Sequence, residues 1–280
     1  MKSAWVERDA EAMAARYAAD GVDRDLALRV YTTQLLGRDP KLVLHGGGNT
    51  SVKITARDLL GEELEVLRVK GSGWDMATIE PAGFSAVRLT ALRKLRARDQ
   101  VSDEDMVRIP RANLIDPLAP NPSVELLLHA FMPAKFIDHT HANAVLSLID
   151  QPDGEARAAE VYDGRLGFVP YLMPGFGLAR KAAEVFDATP QVEGLILSKH
   201  GIFTFGESAR ESYERMIELV TLAEQRLAKS RKSVFTSAAL PNAIARVDEA
   251  APILRGACTL RDAFGEGAHR RQIAAFRAPT

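Results

Sequence analysis

Apolar positions recur along this chain with two different periods, and the changes of period mark its elements. From Asp23 to Leu36, Leu26, Val30 and Leu35 lie at helical spacing among polar residues, which predicts an amphipathic helix ending near Gly37 and Pro40. Leu42-Val43-Leu44 then leads into Gly46-Gly47-Gly48, and Ser51-Val52-Lys53-Ile54-Thr55 follows with alternating β-branched residues, so the glycines are expected between two strands. Glu63 to Lys70 reads as a further strand that runs into Gly71-Ser72-Gly73. Val87, Leu89, Leu92 and Leu95 predict a helix from about Gly83 to Arg98. Asn121-Pro122-Ser123 predicts another helix start, because Asn is a favoured cap and Pro is tolerated in a first turn whose N–H groups have no partner within the helix. Leu126, Leu127, Leu128 and Phe131 carry that helix to Pro133. Strand Phe136 to His141, helix Ala142 to Leu148, strand Gly194 to Ser198 and a long helix from about Ala209 to Lys229 complete the pattern.

Strands and helices mix here without a regular βαβ period, which predicts an α/β layered domain with a mixed sheet. Residues 1–230 are expected to form that domain. Residues 231–280 are richer in Ala, Pro and Arg, lack clear strands, and are read as a carboxyl-terminal extension packed on the domain or on a neighbouring subunit.

Composition narrows the function classes. The 280 residues are 46% hydrophobic and 26% charged, ordinary for a globular protein, with a formal net charge of -1. Such a balance gives no broad basic footprint for nucleic acid or an acidic membrane, so any anion recognition must be local. Charged residues interrupt the segment Met1 to Asp20, and no apolar run is long enough to span a bilayer. The single cysteine, Cys258, excludes an internal disulfide framework and fits a reducing compartment, so a cytoplasmic location is expected.

The candidate chemistry begins with three histidines. Side chains alternate along a strand, so His139 and His141 in Asp138-His139-Thr140-His141 point to the same side and can hold one metal ion. His200, in Ser198-Lys199-His200-Gly201 at another strand end, would complete a facial set of neutral nitrogens with positions left open, the pattern of a catalytic rather than a structural zinc site. A His-x-His pair alone also arises by chance. The run Gly46-Gly47-Gly48-Asn49-Thr50-Ser51 is either a tight turn or a loop whose amides approach phosphate oxygens, and it matches neither common nucleotide motif. Lys70-Gly71-Ser72-Gly73 and Ser123 add hydroxyls and amides suited to a phosphate or carboxylate. Glu125, expected in the first helical turn, is favoured there by the helix dipole alone, but it could also share a cleft with Ser123 as a proton shuttle. His129 reads as a core or hydrogen-bonding residue, His45 as a support for the glycine loop, and His269 as an exposed residue of the arginine-rich tail.

The order Gly-Asn-Thr-Ser, Gly-Ser-Gly, Pro-Ser-x-Glu, His-Thr-His and Lys-His-Gly resembles the class II aldolase/adducin family. The strings HGGGNTSVK, VKGSGWDM, NPSVELLLHAFMP, DHTHANAVL, VPYLMPGFGLA and LSKHG look most like the aldolase half of bifunctional rhamnulose-1-phosphate aldolase/lactaldehyde dehydrogenases, over about residues 20 to 275. The resemblance implies a three-layer α/β/α fold around a mixed, mostly antiparallel sheet, tetramers with sites at subunit contacts, and zinc on His139, His141 and His200, with manganese, cobalt or iron as alternatives. It implies Glu125 as the acid/base, and Asn49, Ser72, Gly73 and Ser123 as holders of the substrate phosphate. Reversible cleavage of a rhamnulose- or fuculose-type ketose 1-phosphate to dihydroxyacetone phosphate and an aldehyde is the activity it implies; an epimerase, dehydratase, decarboxylase or adducin-like binding module shares the fold. Two departures stand out. Val124 stands where several aldolases have a second serine, and the sequence ends about where the fused dehydrogenase would begin, so a separate enzyme is expected to oxidise the aldehyde.

Overall fold

A computed structural model describes residues 1–44, 47–57, 60–229, 246–261 and 269–270. His45, Gly46 and the side chain of His269 lie outside the described residues. The chain divides into two compact units, Met1–Ser230 and Arg231–Thr280. The second carries α10 (Val247–Ala257) and a two-residue pairing of β8 (Leu260–Arg261) with β9 (His269–Arg270).

The first unit is built on a sheet of β1 (Asn49–Arg57), β2 (Glu63–Lys70), β3 (Phe84–Arg88), β4 (Phe136–Thr140), β5 (Leu166–Val169), β6 (Gly194–Leu197) and β7 (Gly201–Gly206). Their order is β3-β2-β1-β4-β7-β6-β5, antiparallel throughout except for β5 beside β6. Central strands are buried on both faces, which is why β6 reads as a continuous apolar run and β7 shows no alternation, while β4 carries buried Asp138, His139 and Thr140. One face packs Leu67, Val69, Ile137, Leu195, Phe203 and Phe205 against α3 (Leu89–Lys94), α5 (Leu126–Phe131) and α8 (Phe176–Ala188). The other face packs Val52, Phe136, Ile196 and Ile202 against α1 (Glu7–Ala18), α2 (Arg24–Gly37), α6 (Asn143–Ile149), α7 (Gly154–Tyr162) and α9 (Ala209–Lys229). The result is the three-layer α/β/α arrangement. Asp23 caps α2 by accepting from the backbone N–H groups of Asp25 and Leu26.

Several sequence expectations are corrected. The helix expected over Gly83 to Arg98 is instead β3 followed by the short α3, because Phe84–Arg88 pairs in antiparallel register with β2 from Val66 to Lys70. Leu42-Val43-Leu44 forms no strand. The helix expected from Asn121 begins at Leu126, since Pro122 bridges back to Gly71 and Ser123 N–H donates to Lys70 O. Glu125 is therefore the residue before the helix, with no capping hydrogen bond, so the dipole argument for it falls away.

Gly48 sets the start of β1 against the end of β4. It has φ +72°, and a Cβ there would lie 2.6 Å from His139 O, so only glycine lets the turn bring Asn49 into register with His139. On the far face of β4, Asp138 is fully buried and pairs with the equally buried Arg29 at 2.5 Å. Arg29 also donates to the backbone oxygens of Ser51 and Ile137, which ties α2 to β1 and β4.

A candidate metal and acid/base centre

His139 lies near the end of the central strand, on the face that carries α5. Its ring stacks on Phe203, its register partner in β7, with centroids 4.1 Å apart. Nδ1–H donates to Ile202 O at 3.1 Å, which fixes the tautomer and leaves the Nε2 lone pair free on the side of His141 and Glu125. His141, one residue beyond the strand, brings its Nε2 to 3.0 Å from that atom. His200 arrives from the tight turn between β6 and β7. There Lys199 takes the left-handed conformation, φ +57°, and His200 N–H donates to Leu197 O. Gly201 leaves room for two of the rings: a Cβ at this position would stand 2.5 Å from Thr140 O, 3.0 Å from His139 Cε1 and 3.2 Å from His141 Cδ2.

Glu125 closes the group. Oε2 lies 3.3 Å from His139 Nε2, and Oε1 lies 3.2 Å from His200 Nε2. Burial holds the imidazole of His139 well below its ordinary range, and the neighbouring His141 and His200 push it the same way. Burial also lowers His141 and His200, with the Glu125 charge opposing it at His200. Burial raises Glu125, against the pull of His200 and of a hydrogen bond from Asn49.

These residues fit a divalent cation. The three imidazoles each offer a ligand nitrogen, all within 4.8 Å of one another. Neutral rings present lone pairs rather than protons. Glu125 Oε1 and His200 Nδ1 are buried without a hydrogen-bond partner, and an orphaned carboxylate oxygen among imidazole nitrogens is costly unless a cation faces it. Such a set can polarise a carbonyl oxygen and move a proton beside it.

The residues expected to hold phosphate are placed less simply. Asn49 Nδ2 donates to Glu125 Oε2 at 2.6 Å and to Ser123 Oγ at 3.1 Å, while Asn49 Oδ1 lies 2.5 Å from His129 Nε2. Ser123 Oγ also accepts from Glu125 N–H. Ser72 is exposed, but its N–H goes to Asn121 O and its hydroxyl to Pro122 O. Gly73, φ +85°, faces open space. Ser72 and Ser123 line a cavity of about 170 Å³ together with exposed Val124 and with Arg111, a basic residue that no sequence motif singled out. Of the two tyrosines near the motifs, Tyr162 is buried among α6, α7 and α9, on the face away from His139. Tyr171 is exposed, with Lys199 Nζ 6.0 Å over its ring. Lys70 is buried.

Residues 28–227 match the family model for the class II aldolase and adducin N-terminal domain. A curated relative, the Bacillus subtilis protein named uncharacterized oxidoreductase YuxG, is 42% identical over 196 residues, or 70% of this chain, and the match spans 28% of that relative's length. The solved N-terminal class II aldolase domain of a conserved Thermoplasma acidophilum protein is 38% identical, covers 81% of this chain and 99% of its own, and superposes with a TM-score of 0.72. A structure of L-fuculose 1-phosphate aldolase covers 79% of this chain and 92% of its own, with a TM-score of 0.50 at 17% identity, a likeness of fold. Among the described residues no helix is long and apolar enough to cross a membrane.

Proposed function

This chain belongs to the class II aldolase and adducin family, and from that premise we propose that it is a zinc-dependent aldolase that reversibly cleaves a ketose 1-phosphate of the rhamnulose or fuculose type. The observation that carries the reading is the meeting of His139, His141 and His200 with Glu125, whose carboxylate oxygens lie within 3.3 Å of two of the imidazoles. Three neutral imidazoles suit zinc, with manganese, cobalt or iron admissible in the same set. A divalent ion bound there supplies Lewis acidity toward the ketone oxygen and the negative charge that develops next to it.

The residues of the chain do the rest. In the cleavage direction the hydroxyl at C4 gives its proton to solvent water, the C3–C4 bond breaks, and its electron pair passes into an enediolate at C2–C3 while an aldehyde departs. Glu125 then gives a proton to C3, which yields dihydroxyacetone phosphate; in condensation it removes that proton. Burial raises the Glu125 carboxyl toward the range where it can both hold and release a proton. His139, fixed by Ile202 O, keeps its Nε2 lone pair directed to where the cation would be held. Asn49, Ser72, Gly73 and Ser123 are proposed to hold the phosphate, Ser72 and Ser123 sharing one cavity with Arg111. We further propose that the protein acts in the cytoplasm as a homotetramer.

A second reading, an epimerase, dehydratase or decarboxylase of a sugar phosphate or sugar acid, is favoured by one observation. Asn49, Ser72 and Ser123 already have protein partners, and Val124 brings no hydroxyl to the phosphate side. A coupled assay for dihydroxyacetone phosphate across ketose 1-phosphates separates the two. Triose phosphate release supports the aldolase; epimerised product or carbon dioxide without triose phosphate supports the second reading. An adducin-like binding module gives no reason to bury an unpartnered carboxylate oxygen beside three imidazoles.

A further inference from the structure

His129 is fully buried on α5, one helical turn beyond Glu125, and has no part in the chemistry described above. Its ring reaches two polar partners: Nδ1 lies 2.8 Å from Ser51 Oγ, and Nε2 lies 2.5 Å from Asn49 Oδ1. The far end of the Asn49 amide reaches Glu125 Oε2 at 2.6 Å and Ser123 Oγ at 3.1 Å. Hydrogen-bond valence fixes the direction of this chain. An ionised carboxylate only accepts, so the Asn49 atom beside Oε2 is the amide nitrogen and the atom beside His129 is the carbonyl oxygen. That oxygen needs a donor, which puts the imidazole proton on Nε2. Nδ1 then accepts, and the Ser51 hydroxyl donates to it.

We propose that His129 is a positioning residue for Glu125, acting through Asn49: its Nε2–H holds the Asn49 carbonyl so that the amide N–H groups face Oε2 and Ser123, and Oε1 is left directed at His200. The proposal rests on Glu125 being the acid/base. A reversed amide would set a carbonyl oxygen against the carboxylate, two acceptors at 2.6 Å in a buried site, so the orientation of Asn49 decides where the carboxylate can rest. Among the described residues His129 alone donates to the Asn49 oxygen, while both amide N–H groups are used by Glu125 and Ser123. His129 also packs against Phe203, ring centroids 5.4 Å apart, so a purely space-filling role is the reading to exclude.

Two substitutions separate these roles. His129→Gln keeps a donor near the Nε2 position, whereas His129→Asn keeps a polar group near Nδ1 and leaves Asn49 unclamped. In the ¹⁵N-labelled full-length protein, the side-chain amide protons of Asn49, assigned by their loss in Asn49→Ala, are expected to exchange slowly in wild type and in His129→Gln. In His129→Asn they are expected to exchange on the order of tenfold faster, about the effect of losing one hydrogen bond. Unchanged exchange in His129→Asn, or equal disturbance in both variants, overturns the proposal. If His129→Asn does not fold, the ¹⁵N spectrum of wild-type His129 decides: a single Nε2–H tautomer is expected, and an Nδ1–H tautomer or an imidazolium contradicts it. Neither readout involves substrate turnover, so failure here is distinct from failure of the aldolase reading.

Discussion

Asn49 donates its side-chain amide to Glu125 Oε2 at 2.6 Å, and this one bond joins the first residue of β1 to the carboxylate that precedes α5. Residues 76 positions apart thereby share a site whose candidate metal ligands come from the end of β4 and the turn between β6 and β7.

Glu125→Gln keeps the shape of the side chain and removes its ability to exchange a proton. Turnover is expected to fall by about 10²–10⁴-fold, the usual worth of a positioned acid/base, while bound metal is retained. Steady-state kinetics on any ketose phosphate the wild type cleaves, with metal content measured in parallel, checks both halves. Full activity in the variant would remove Glu125 from the mechanism.

Gly201→Ala places a Cβ against Thr140 O and against two of the ligand rings. Backbone and imidazoles must shift, so both stability and metal affinity should drop, with stability down by about 1–3 kcal/mol for an overpacked site. Urea unfolding and chelator competition measure the two effects. An unaltered metal affinity would mean that the rings move freely and are not held for a ligand.

Arg29 and Asp138 form a fully buried pair, supported by Ser212, which donates to Asp138 Oδ2 at 2.5 Å. Removal of one partner leaves an uncompensated charge, so Arg29→Met or Asp138→Asn should cost about 3–5 kcal/mol. The double variant should cost less than the sum of the two. Additive losses in a double-mutant cycle would show that the pair is not coupled.

Lys53, half-buried in β1, donates to Ala134 O at 2.5 Å. Burial, with Arg93 adding to it, pushes its ammonium down from 10.5 to about 7. The unfolded chain then binds more protons than the folded one between these values, so stability should climb as pH rises from about 7 toward 10.5, with no pH dependence from this group below that window. Urea midpoints of wild type and Lys53→Met compared at pH 7 and 9 test this. The wild type should gain more than the variant; equal gains would contradict the shift.

How much of the molecule was legible in the sequence depended on the range of the interactions that decide each part. The α2 and α9 helices were readable because their faces carry the period themselves. The pairing of His139 with His141 was readable because strand alternation fixes it locally, whereas His200 joins them through the long-range pairing of β4 with β7, which only the motif order implies. β3 was mistaken for helix because Val87, Leu89, Leu92 and Leu95 fit a helical face, while the pairing with β2 that overrides it is a tertiary fact. α1, α4 (Asp103–Ala112), α7, α8, β5 and β7 were not foreseen. In β7, burial on both faces removes any alternation to read. At the site, Asn49 was legible as a polar residue near an anion, but its engagement with Glu125 and His129 depends on contacts 76 and 80 residues distant. Arg29 gave no signal, because an arginine on a helix reads as solvent-facing until its burial is known.

A metal centre on His139, His141 and His200 is tested most directly by the metal content of the purified protein after zinc loading and removal of free ion, compared between wild type and His139→Ala and His200→Ala variants that are shown to be folded. One divalent ion per chain is expected in wild type and little in either variant. No retained metal in wild type after exposure to zinc, manganese, cobalt or iron, or equal retention in all three proteins, would contradict a centre built on these histidines.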